Sequence, residues 1–234
     1  MSLEAEKIVD YLQFTDFISL IAVAFIGNFL LFLLSILFYE IIHKIYNQHD
    51  QLVARHPILQ GDIWNALFNM LLNGVVAIVG LYLMRMEWMK IIDFRWETFL
   101  FKFLAVFFLI DFLMFILHWL VHKSFLYRYF HYRHHVFERT NALSLFVMHP
   151  LENLMFGCVL IITFILVPCD IFTIVFYLAF NLLWGILGHL GFNLFHFKNR
   201  LITNGMFHMH HHHDIHVNFG FYTSLWDKFF KTYK

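Results

Sequence analysis

Charge is scarce in this sequence. Only 14% of its 234 residues are Asp, Glu, Lys or Arg, whereas a soluble domain carries about 25%. The few charges cancel to a net of +0, so no basic surface suggests nucleic acid as a partner. Proline occurs three times, and no Gly/Ser-rich or Pro-rich linker divides the chain. Cysteine occurs twice, as Cys158 and Cys169, in no CxxC pattern and inside apolar sequence. Both read as small buried apolar side chains rather than as a disulfide framework or thiolate site. There is no solenoid-type repeat and no GxGxxG, and no stretch looks like a haem or flavin domain.

What the chain does contain is apolar sequence. Hydrophobic residues make up 61% of it and mean hydropathy is +0.68, which demands either a very large core or lipid as solvent. Continuous runs decide for lipid, because a bilayer-spanning helix needs about 20 apolar residues. Phe17–Tyr39 has no charge and one Asn, and Trp64–Met84 is also uncharged. Phe99–Val121 is interrupted by Lys102, Asp111 and His118. Leu154–Val167 and Ile171–Leu190 follow as a pair, with Pro168, Cys169 and Asp170 as a tight turn between them. Phe17–Tyr39 is too long, and its leading MSLEAEKIVD too acidic, for a cleavable signal. The expected fold is an all-α integral membrane protein with four to five transmembrane or re-entrant helices and a cytosolic helical histidine-rich cap. A two-span region (1–98) would precede a histidine-box domain (99–234).

The 17 histidines are not spread evenly. Three (His43, His49, His56) lie in the first polar loop, where surface roles suffice. From His118 onward they fall into boxes. HWLVH places His118 and His122 one helical turn apart on one face. HYRHH, if helical, stacks His131, His134 and His135 in the same way. The internal run NGMFHMHHHHDIHVNFG fits H-x-x-H-H in one register, His208, His211 and His212. His210 and His213 fall outside it, and His213 and His216 read as surface groups. One HxxxH alone is weak. Together the three boxes supply eight imidazoles, more than the three or four that one zinc takes, which points to two metal ions. Ionisable groups within a membrane are costly and usually functional.

The boxes can share a site only at one membrane face. The apolar pair crosses and returns, or dips in and out, and either path brings the third box back to the second. That face also carries Lys123, Arg128, Arg133, Arg139, Lys198, Arg200, Lys228, Lys231 and Lys234, against Arg85, Lys90 and Arg95 opposite. The positive-inside rule makes it cytoplasmic, with the N-terminus outside. Asp111, two turns above His118, reads either as a buried hydrogen-bonding group or as a partner that orients that imidazole.

HWLVH, HYRHH, MHPLE, GHLGF, HMHHH and NFGFYTSLWDKFF, in this order, resemble the fatty acid hydroxylase and sterol desaturase superfamily from about Phe103 to Thr232. The closing tail departs from it, reading FFKTYK where relatives commonly read FGT. The resemblance implies a di-metal centre held by His118, His122, His131, His134, His135, His189, His208, His211 and His212. It implies iron as the metal, with zinc possible in a purified sample, and O2 as oxidant. Asn193, or a water, is a candidate for the place four residues after His189. His149 is expected near the site. Asn218, Trp226 and Asp227 are expected to tie the tail over it, with Asp227 a possible partner of a ligand imidazole. The implied reaction is hydroxylation or desaturation of a lipid or sterol C–H bond, with electrons from a cytochrome b5-like or ferredoxin-like donor. The implied membrane is the endoplasmic reticulum in a eukaryote or the inner membrane in a bacterium. The alternatives are a metal transporter or sensor, with histidines strung along a transmembrane path, and a non-catalytic relative.

Overall fold

The computed structural model describes residues 3–46, 55–123, 125–135, 140–194 and 201–234. His49, Arg139, His196, Lys198 and Arg200 lie outside these segments. Among the described residues the fold is helical. A short helix α1 (Leu3–Phe14) precedes three long helices, α2 (Phe17–Tyr46), α3 (Gln60–Arg85) and α4 (Trp96–Lys123). A π-helical turn (Tyr127–His131) runs directly into α5 (Tyr132–His135). The hairpin α6 (Pro150–Leu166) and α7 (Ile171–Gly188) follows, then α8 (Gly205–His213) and α9 (Leu225–Phe229).

Four of these helices, α2, α3, α4 and α7, are long and apolar enough to cross a membrane, and α6 is shorter. The 17 residues of α6 rise about 26 Å at ~1.5 Å per residue, a little less than the hydrocarbon thickness. Large apolar side chains stay exposed along the outer faces, among them Ile18, Ile26, Leu30 and Leu34 of α2 and Phe101, Leu104 and Phe108 of α4. Water would not tolerate such surface, whereas acyl chains match it.

Without a hydrophobic drive inside lipid, helices associate through close contact. Glycines permit it at two crossings. A Cβ on Gly74 of α3 would sit 2.6 Å from the Phe25 ring of α2, and one on Gly157 of α6 would sit 2.7 Å from Val76 of α3. Several polar groups buried in the spans are paired. Asn69 of α3 is fully buried and donates to the carbonyls of Phe146 (3.0 Å) and Met148 (2.9 Å). Asn153 of α6 donates to the Asn69 carbonyl (3.0 Å). This fixes the segment before α6 against α3. The charge that interrupts α4, Lys102, pairs with Asp170 at 3.0 Å. Asp170 also caps α7 by accepting from the Thr173 amide (2.8 Å). Chain reversal between α6 and α7 thus falls where Pro168–Asp170 predicts it.

The C-terminal tail folds back along α4. Asp111, in the middle of that helix and fully buried, accepts from the Tyr222 amide (2.9 Å), the Thr223 amide (3.1 Å) and hydroxyl (2.5 Å), and the Trp226 indole (3.0 Å). Asp227 closes the next turn by accepting from the Phe219 amide (2.8 Å), the Gly220 amide (2.7 Å) and the Thr232 hydroxyl (2.7 Å). Asn218, at φ 58°, bonds Lys234 through both its amide oxygen (2.9 Å) and nitrogen (3.3 Å). These contacts lay Phe219 beside the end of α4 that bears His118 and His122.

Candidate metal centre

All nine histidines expected as ligands converge at one end of the helix bundle. Five of them, His118, His122, His131, His135 and His211, have ligand nitrogens within 4.8 Å of one another, and so do His134, His189 and His208. His212 lies beside the second group. Its Nε2 is 3.1 Å from that of His208, and its ring is 4.7 Å from His134 and 4.6 Å from His135.

The spacing of the boxes explains this division. Helical residues i and i+4 project together, and i+3 points to the adjacent side. In the second box, His131 and His135 serve the five-histidine group and His134 the other. The third box is reversed: His208, with His212 alongside, faces the three-histidine group, and His211 the five. The three rings of the second box lie together, with centroids 4.8 to 5.9 Å apart, yet they serve both groups. Its helix begins with a π-turn, in which the Tyr132 amide donates to the Tyr127 carbonyl. Turns of this kind recur at functional sites.

The outer ring nitrogens of four histidines are tied down. His118 Nδ1 donates to the Phe219 carbonyl (2.9 Å), His189 Nδ1 to the Gly185 carbonyl (2.8 Å) and His211 Nδ1 to the Val217 carbonyl (2.7 Å). A carbonyl only accepts, so in each neutral ring the proton sits on Nδ1 and the Nε2 lone pair is free. His131 Nδ1 donates to the Glu152 carboxylate at 2.6 Å, with both residues buried. Glu152 belongs to the MHPLE element, where sequence reasoning gave a role to His149 and overlooked the carboxylate.

Burial, reinforced by neighbouring imidazoles, holds His131, His134, His208 and His211 well below the usual histidine pKa. His135 is pushed down to about 3 by burial first. These rings are neutral, which is the ligating form. Neutral rings leave a problem that a cation solves. His118 Nε2 faces His131 Nε2 at 3.1 Å, and because the His118 proton sits on Nδ1, that Nε2 presents its lone pair to the second ring. His122 and His135 meet through Nε2 at 3.2 Å. His189 Nε2 and His211 Nε2 are buried without a hydrogen-bond partner among the described residues. Two nitrogens each about 2.1 Å from a common ion at roughly a right angle are about 3 Å apart. The donor set, its protonation and its spacing therefore fit bound transition-metal ions.

The other expected site residues have different roles. Asp111 does not orient His118, whose Nδ1 is held by Phe219; its carboxylate anchors the tail. Asp227 likewise bonds tail amides and the Thr232 hydroxyl rather than an imidazole. Trp226 ties the tail as expected, and Asn218 does so while also contacting His210 Nδ1 at 3.1 Å. Asn193 takes no place among the clustered nitrogens; its Oδ1 accepts from the Met206 amide (3.1 Å) at the start of α8. The chain leaves the helix at His189, so a residue four positions later is not one turn further on. His149 caps α6, accepting from the Leu151 amide (3.2 Å). His213 and His216 are exposed. His43 is buried among Tyr39 and Phe192 and accepts from Arg55 (3.2 Å).

Fold and site together define an integral-membrane protein with two histidine groups able to hold metal ions. Residues 103–232 match the fatty acid hydroxylase family, and the chain belongs to that family. It is 29% identical over 203 residues to a cholesterol 25-hydroxylase-like protein of Danio rerio, covering 78% of this chain and 79% of the relative. No solved structure matches the chain.

Proposed function

We propose that the protein is a di-iron oxygenase that hydroxylates, or alternatively desaturates, a C–H bond of a membrane lipid or sterol with O2 and two electrons from a separate donor. The observation that carries this reading is the gathering of nine imidazoles into two adjoining groups at one end of a lipid-facing bundle. His118, His122, His131, His135 and His211 would hold one iron, and His134, His189, His208 and His212 the other. Bound iron would supply the activation of dioxygen and the oxidation of an unactivated C–H bond.

The protein's own groups prepare that chemistry. The Phe219, Gly185 and Val217 carbonyls and the Glu152 carboxylate fix ring orientation and hold protons on Nδ1, leaving Nε2 to bind metal. Phe219 covers His118, His122 and His211 with an apolar ring, at centroid distances of 5.6, 5.3 and 5.4 Å. That cover keeps water from a reactive centre. Lys123, Arg128, Arg133, Lys228, Lys231 and Lys234 lie on segments that carry or border the boxes. They favour a cytoplasmic site, within reach of a cytochrome b5-like or ferredoxin-like donor. The zebrafish relative's name makes sterols the first substrates to try. A transporter would string its histidines along the spans, whereas here they crowd at one end.

The test is iron analysis of the purified protein combined with lipid mass spectrometry of cells with and without it. The reading predicts about two irons per chain and an oxidised lipid that disappears in the His134→Ala/His135→Ala variant. Unchanged lipids with altered cellular metal uptake would instead identify a transporter.

A further inference from the structure

A pocket opens beside the three-histidine group, between the end of α7, the start of α8 and the tail segment at Gly220–Phe221. Trp184, Leu187, Leu194 and Phe221 form its apolar wall, and His189 and His208 belong to its lining. The lining's polar groups are largely engaged with one another. The Trp184 indole donates to the Phe221 carbonyl (3.1 Å), the Thr203 hydroxyl donates to the same carbonyl (2.5 Å), and Asn204 accepts from the Phe207 amide (2.8 Å). His189 Nε2, by contrast, is buried and without a hydrogen-bond partner among the described residues. A ligand here meets hydrocarbon on its flanks and the His189 and His208 rings of the three-histidine group beside it.

Three glycines line this pocket, and two are explained by packing. A Cβ on Gly205 would lie 2.6 Å from the Phe192 carbonyl, and one on Gly220 would collide with the Thr223 carbonyl. Gly188 is different. A Cβ there would meet no atom of the described residues within 4 Å, and its φ is not in the left-handed region. It ends helix α7, where alanine would serve the backbone better. Neither its conformation nor packing against the described residues calls for glycine, so its effect is to leave the pocket open.

We propose that Gly188 sets the width of a hydrocarbon pocket leading to His189 and His208, and that this pocket takes the slender saturated end of a lipid. A gap left by one missing side chain suits a methylene chain and excludes a fused ring. That chemistry is shared by the tail of a fatty acyl lipid and the aliphatic side chain of a sterol. The inference rests on the oxygenase reading in taking the histidines as the reacting centre.

The test uses purified protein with its iron quantified and two photoreactive probes: a fatty acid with a diazirine at its methyl end, and a sterol with a diazirine at the end of its side chain. Irradiation should label peptides containing Trp184, Leu187 or Phe221, and the probe that labels identifies the source of the chain. Gly188→Leu should cut this labelling about tenfold or more by filling the space, with iron per chain unchanged. Gly27→Leu, at the other glycine whose Cβ would meet nothing, should leave it intact. Should Gly188→Leu lose its iron, Gly188→Ala decides: reduced labelling with iron retained supports the proposal, and undiminished labelling overturns it. Labelling that persists in Gly188→Leu, or that falls elsewhere or nowhere in iron-loaded wild-type protein, also overturns it. Labelling at this pocket without oxidised lipid in cells would keep the pocket and remove the oxygenase reading. Oxidised lipid without labelling would do the reverse.

Discussion

Glu152 shows how much one side chain contributes behind a metal site. It is 2% exposed, and its Oε1 accepts from His131 Nδ1 at 2.6 Å. A carboxylate behind an imidazole raises the basicity of the ligating nitrogen and fixes the ring, and losing such a partner typically weakens metal binding about 10- to 100-fold. Glu152→Ala should therefore lower iron affinity by that factor, and Glu152→Gln by less because it keeps an acceptor. Competition with a chelator measures both, and equal affinity in all three proteins would show the pair to be idle. The boxed imidazoles were legible in the sequence because their spacing follows the helical repeat, whereas His189 came from the family resemblance alone. Glu152 was not, because its partner lies 21 residues away across a turn, and no local period links them.

At the scale of elements, α4 and the tail are joined through Asp111. Two turns do separate it from His118, as the sequence indicates, but the tail reaches the carboxylate and the imidazole at different points. Tyr222, Thr223 and Trp226 take Asp111, and the Phe219 carbonyl takes His118. Asp111→Asn keeps the shape but replaces one accepting oxygen with a donor facing the Thr223 hydroxyl and Trp226 indole. The expected cost is about 1–3 kcal/mol, read as a lower melting temperature in detergent. Iron retention should fall with it, since the tail segment that holds His118 is released. A variant as stable as wild type but poor in iron would mean that Asp111 acts on the centre directly. The ties of Asp111 and Asp227 to the tail cross over a hundred residues or close an irregular turn, and neither follows from periodicity.

For the whole molecule, sequence length and apolarity were enough to place the long helices, because lipid imposes a span length and forbids unpaired backbone. The short helix α1, which has no long apolar run, gave no such signal. The buried histidines make a global prediction about acid. In the folded chain His135 titrates at about 3, and His131, His134, His208 and His211 lie well below the ordinary value. In the unfolded chain they titrate near ~6.5. Between these values the unfolded state binds more protons, so stability rises with pH. Metal-free protein should keep the full contribution of these groups above about pH 6.5 and lose it progressively as acid is added below that. Melting temperatures in detergent across this range check the sign, and a protein that melts higher in acid would contradict neutral burial.

Because α5 and α8 each lend side chains to both histidine groups, neither ion could be seated without setting the posture of both helices. The first to arrive would leave a ready nest for its companion. Loading is then expected to be cooperative, with singly filled molecules rare throughout a titration, and a fault in either helix would empty both seats.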